Sequence, residues 1–254
     1  MLRDVARGGI AGVIAGTIVG GVGGRIAMSI AAILNPQAAG SFTEAGEVVG
    51  RFTLQGTLAL MLFGGLGAGI AAGVLWVVIS PWVPWTGARR AILVMPIAVA
   101  LGSFFLIESG NRDFVILGPA PAILALLILL VALVGAAVSW LDEWLDRRLP
   151  LPGAKPGRAL LAYAVVAVLG LAPLLFTFNA FFSASFADSP RPLGIGPALL
   201  VCGVATVILW ASRVRTGRQD VPPAVLAAGR IGLVAAVVLG GWHLIREADR
   251  IFAL

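Results

Sequence analysis

Residues 8–34 read GGIAGVIAGTIVGGVGGRIAMSIAAIL, and this stretch decides the solvent in which the chain folds. It carries one charge, Arg25, in an otherwise apolar and small-residue run. About 20 apolar residues are enough for a helix to cross the ~30 Å hydrocarbon core of a bilayer. A basic flank precedes the run, as in a secretory signal. The run is much longer than the roughly 7–15 residues of a signal's apolar region, so it is expected to be retained as the first membrane helix.

Six further segments of the same kind follow, at 53–80, 91–108, 118–141, 159–181, 193–211 and 223–245. The chain of 254 residues is 59% hydrophobic, with a mean hydropathy of +1.02. Lipid offers no partner for the free amides and carbonyls of an open strand. The ten-residue alternation of a membrane β-barrel is missing as well. The expectation is one all-α domain over residues 1–254, a polytopic bundle of about seven transmembrane helices.

The net charge of +6 invites a nucleic-acid reading, but the positions of the charges argue for topology instead. With alternating helices, Arg3, Arg7, Arg89, Arg90, Arg147, Arg148, Lys155, Arg158, Arg213, Arg215 and Arg218 fall on one side. The other side receives Arg51, Arg112, Arg191, Arg246 and Arg250. That bias places the N-terminus in the cytoplasm and the C-terminus outside. No nucleic-acid partner is expected; the bilayer itself is. Arginine outnumbers lysine by 17 to 1, a usage that suggests a GC-rich prokaryotic genome and hence a prokaryotic plasma membrane.

Glycines at 8, 12, 16, 20 and 24 form a four-residue ladder in the first span, and Gly65, Gly69 and Gly73 repeat it in the second. In lipid, a missing side chain lets a second backbone approach closely, and packing replaces the hydrophobic drive. The two spans are expected to pack on each other. In the rival arrangement a ladder faces a second protomer or another subunit. Trp76, Trp82, Trp85, Trp140, Trp144 and Trp210 are expected at the cytoplasmic interface, where amphipathic rings anchor. Phenylalanines such as Phe104, Phe105, Phe176 and Phe181 gather toward the outer half, as packing or as the wall of an apolar pocket. Residues 142–158 read as a connection that opens with a short charged helix, and Pro173 as a kink in the fifth span.

A charge inside lipid raises a functional hypothesis by default. Arg25 is the sharpest case, about two-thirds of the way across the first span. Its candidate partners are Glu44 and Glu47 in the first outer connection and Glu108 at the end of the third span. Asn111, Arg112 and Asn179 lie at the same level. The reading is a polar ligand or ion site in the outer half, with Arg25 paired to Glu108 or Glu47. The competing reading makes the same cluster a structural lock between helices. Residues 43–47 are expected to start a short interfacial helix.

Other chemistries find little support. His243 is the only histidine, which rules out a bis-histidine haem within one chain. Cys202 stands alone, so there is no cysteine metal site. Lys155 is the only lysine and lies in a connection, so no retinal attachment is expected. Ser103 with His243 lacks the glycine motif of a hydrolase, and no P-loop occurs. No catalytic residue is assigned. Three functions remain: a non-enzymatic small transporter or ligand-binding membrane protein, an accessory subunit of a larger membrane complex or homo-oligomer, and, last, an interfacial lipid-processing enzyme.

Overall fold

The computed structural model describes residues 1–43, 48–51, 53–150, 157–183, 185–186, 189–190, 194–217 and 221–253. Among these, seven helices are long and apolar enough to cross a membrane. They are α1 (Leu2–Leu34), α2 (Leu54–Trp82), α3 (Gly87–Leu106), α4 (Ala120–Arg148), α5 (Arg158–Phe182), α6 (Ile195–Thr216) and α7 (Pro223–Phe252). The rest of the regular structure among the described residues is slight: a two-residue antiparallel pair, Ser185–Phe186 with Ser189–Pro190, a single bridge between Phe42 and Val48, and two short helical turns, Pro36–Ala38 and Asp113–Ile116. A multi-pass membrane protein is the reading these helices support.

Contacts fix the relative directions of several helices. Gly8 lies against Trp76 and Val77, and Gly21 against Met61, so α1 and α2 run antiparallel. Arg7 reaches Asp142, so α1 and α4 do too. Gly240 meets Ala100, and Glu247 accepts from Ser109, so α3 and α7 run parallel. One face of the bundle therefore carries the start of α1 with the ends of α2 and α4. We call this the N-terminal face.

Several helices outrun the apolar segments that identify them. α4 continues through Asp142, Glu143 and Asp146 to Arg148 in one piece, where a separate short helix was expected. α1 begins at Leu2 and α7 extends to Phe252. Backbone hydrogen bonding continues past the last apolar residue, and on α1 and α4 the charges Arg3, Arg7, Asp142, Glu143 and Asp146 find partners on neighbouring helices.

α1 and α2 are not uniformly α-helical. Each holds a wider π-helical stretch, Gly16–Val22 and Leu60–Gly65, and the two stretches face one another. α5 breaks at Gly170 into two helices, Arg158–Leu169 and Leu171–Phe182. Pro173 has no N–H to offer the carbonyl of Leu169, which explains a break three residues ahead of the expected kink.

The larger hydrophobic core takes residues from all seven helices, most of them from α2, α3 and α6. Trp76 and Trp82 are 2% and 1% exposed, so these two rings are core residues and not the interface anchors their position suggested. Trp82 donates its indole N–H to the Cys202 carbonyl at 3.3 Å, and its ring fills the notch left by Gly229. Thr206 donates to the Val78 carbonyl at 2.9 Å. Trp85 and Trp140 stay exposed. Cys202 is buried packing, with its thiol 3.4 Å from the Gly229 carbonyl.

Candidate functional site

Two stripes of small residues run along α2. Gly65, Gly69 and Gly73 repeat every fourth residue and face α1. A Cβ on Gly12 or Gly16 would overlap the backbone at Gly69, and one on Gly65 would lie 2.6 Å from the Gly16 carbonyl oxygen. The seam is thus backbone against backbone. The second stripe, Gly64, Gly67, Ala68 and Ala71, turns away from that seam. A Cβ on Gly67 meets nothing within 4 Å.

That second stripe forms one side of a cleft of about 1050 Å³. Its inner wall comes from α3 and α4, with Leu101, Val131 and Val138 among the buried residues. Ala172, Pro173, Phe176 and Thr177 of α5 form the opposite lip. On α4 the lining repeats from Ile123 to Val138, about 22 Å at 1.5 Å per residue. Trp76 and Ile79 lie toward the N-terminal end. Asn111 and Asp113, on the turn after α3, bring polar groups to the other. Almost everything between is apolar. Gly20 and Gly24 of the α1 ladder, which have no side chain to fill the space, also border the cleft.

Below the cleft, the N-terminal face is closed by an ionic network. Asp142 of α4 is 2% exposed and accepts from Arg7 Nε at 2.6 Å. Arg90 of α3 stands 3.9 Å from the same carboxylate and 3.8 Å from Glu143. Asp146 takes Arg3 at 2.6 Å and a further contact from Arg7. Glu143 also accepts from the Gly87 amide through both oxygens at 2.9 Å, a carboxylate at the positive end of α3. Arg90 lies 4.8 Å over the ring of Trp76, the residue that floors the cleft. Three arginines and three carboxylates thus tie α1, α3 and α4 together.

The opposite end has a second buried polar group. Glu247 of α7 is 0% exposed, accepts from the Ser109 amide at 2.8 Å, and pairs with Arg250 at 2.6 Å. One turn earlier, His243 is buried against Phe104, which stacks on Phe181 at 4.7 Å. Phe105 meets Phe181 edge-on at 5.3 Å. This aromatic group pins the ends of α3, α5 and α7 together. Among the described residues, no group of three His, Cys, Asp or Glu is placed to hold a metal ion.

The residues singled out from sequence are distributed as follows. Arg25 is 2% exposed, turned away from lipid, and its Nη1 lies 3.5 Å from the Val48 carbonyl of the first connection. Glu108 is buried. Asn111 borders the cleft and accepts from the Asp113 amide at 2.8 Å. Arg112 is exposed on the same turn, and Asn179 is exposed on α5. Glu44 and Glu47, with the expected interfacial helix, lie outside the described residues. Gly20, Gly24 and Gly65 border both the seam and the cleft, while Gly8, Gly12, Gly16, Gly69 and Gly73 belong to the seam.

Sequence reasoning missed Asp142 as the hub of the network and Glu247 as a buried acid. Asp142 reads as the start of a connection, and its partner Arg7 lies 135 residues away. Glu247 had one visible signal, its i, i+4 spacing from His243 on a continuing helix. Compared with protein-family profiles, curated proteins and solved structures, the chain matches none.

Proposed function

We propose that this chain is a multi-pass protein of a prokaryotic plasma membrane, with a cytoplasmic N-terminus, that binds or carries a small apolar or amphipathic ligand without catalysis. The observation that carries this reading is the cleft of about 1050 Å³ between α2 and α5, apolar along its length and polar at Asn111 and Asp113. Ligand pockets run from about 300 to 1,000 Å³ and pair a mostly apolar lining with a few convergent polar groups. A fold with such a cleft is suited to an occupant.

The polar end of the ligand belongs at the outer half of the bundle, beside the turn 108–113. In this reading Arg25, Glu108, Asn111 and Arg112 form the polar site with Glu44 and Glu47, and Asn179 stands at its rim. Arg25 is buried at this level, where a charge inside a membrane protein raises a functional role by default.

A second reading, an accessory subunit of a larger membrane complex, draws on α5. This helix buries only Tyr163, Thr177, Ala180 and Phe181 and leaves Leu161, Val168 and Leu175 exposed. Its outer face is free to meet another membrane helix.

Native mass spectrometry after gentle extraction separates the two. The ligand-binding reading expects a small molecule retained by the wild type and lost in Gly67→Phe, a position where an added Cβ meets no atom within 4 Å; an unchanged melting temperature checks that the variant folds. A protein partner at fixed stoichiometry supports the accessory reading instead. Retention that is indifferent to Gly67→Phe overturns the cleft as the site.

A further inference from the structure

We infer that the occupant of the cleft is the hydrocarbon chain of a bilayer lipid, admitted sideways between α2 and α5. The inference rests on the ligand-binding reading above and names the ligand's class and its route. Three observations lead to it.

The first is where the opening lies. Its lips are residues that border the cleft and are exposed at the same time: Phe63, Gly64, Gly67 and Ala68 on α2, Ala172 and Phe176 on α5, and Leu106 at the end of α3. Gly67 is near the middle of a 29-residue helix, about 20 Å from either end at 1.5 Å per residue. With a hydrocarbon core ~30 Å thick, that level contains lipid tails and no water. A solute from the aqueous phase does not meet this opening, but an acyl chain does.

The second is shape. The lining on α4 extends about 22 Å along the helix axis from Ile123 to Val138, longer than the ~15 Å depth of one leaflet. An elongated, mostly apolar volume that extends along α4 suits a chain better than a compact solute. Its polar groups, Asn111 and Asp113, sit at one end, where a chain's headgroup would lie.

The third is the closure of the route from the N-terminal face. At the N-terminal face Trp76 floors the cleft, and the network of Arg7, Arg90 and Asp142 stands beneath it. The lip on α5, by contrast, lies at the helix break between Leu169 and Leu171. Among the described residues, the opening between α2 and α5 is lateral.

The test uses the full-length protein in phosphatidylglycerol vesicles doped with a phospholipid that carries a diazirine near the end of one acyl chain. After illumination, adducts are mapped by peptide mass spectrometry. Val204 and Val238 face outward from α6 and α7 and report ordinary lipid contact. Leu101 and Val131 are 2% and 7% exposed on the inner wall and are reached only from inside the cleft. Adducts are expected on all four in the wild type, and the two wall adducts are expected to vanish in Gly67→Phe while the outer two persist. Labelling confined to Val204 and Val238 in the wild type overturns the inference. If native mass spectrometry then still shows a non-lipid molecule that Gly67→Phe expels, the ligand-binding reading stands and only the lipid assignment falls.

Discussion

The two small-residue stripes of α2 share a composition and meet opposite fates. Gly65, Gly69 and Gly73 close against α1 until backbones touch, while Gly64, Gly67 and Ala68 border a cleft that no neighbouring backbone enters. The difference lies in the facing helix. α1 presents its own four-residue glycine ladder. α5 presents Ala172, Pro173, Phe176 and Thr177, and breaks at Gly170. A small residue permits close approach, but only a matching partner achieves it. Where the partner is bulky and broken, the same residue type leaves space.

The largest effect expected from disturbing this contrast lies where the closed side is anchored. Asp142 compensates Arg7 and Arg90 at the N-terminal face. Asp142→Asn leaves two part-buried guanidiniums under-compensated, a loss of about 3–5 kcal/mol by the usual cost of breaking a buried pair. Thermal unfolding in detergent checks it: a melting temperature unchanged from wild type would mean that the network does not hold α1, α3 and α4 together.

A smaller and more pointed effect comes from one methyl group placed on each stripe in turn. At Gly69 a Cβ would lie 2.5 Å from the Gly12 carbonyl oxygen and 2.9 Å from the Gly16 Cα. Overpacking of this kind costs about 1–3 kcal/mol. At Gly67 the methyl meets open space, so Gly67→Ala should stay within about 0.5 kcal/mol of wild type. Equal losses for the two variants would erase the distinction between seam and cleft.

Much of the closed side is readable in the sequence. The seven apolar runs mark the helices, and the ladders at 8–24 and 65–73 mark two faces able to approach closely. The open side is not readable in the same way, because a cleft is a failure of complementarity. Nothing local to Gly64 or Gly67 reveals that α5, about 100 residues later, brings no ladder to meet them. The ionic network is hidden for a related reason. Arg3, Arg7 and Arg90 look like a topology signal, and Asp142 and Asp146 like a connection, until α4 is seen to continue and align them. Glu247 lies beyond the apolar segment of its span; its Arg250 partner is close in sequence, but the backbone amide of Ser109 that also meets it carries no sequence mark.

The most direct test of the central claim is the accessibility of a nitroxide at Ala68→Cys, in a Cys202→Ala background, reconstituted in vesicles. Ala68 is exposed and borders the cleft near the middle of α2. The account predicts strong relaxation by molecular oxygen, which partitions into hydrocarbon, and little by a water-soluble metal chelate. A label protected from both reagents, or one reached by the chelate, would contradict it: the first would show a closed seam, the second a water-filled channel.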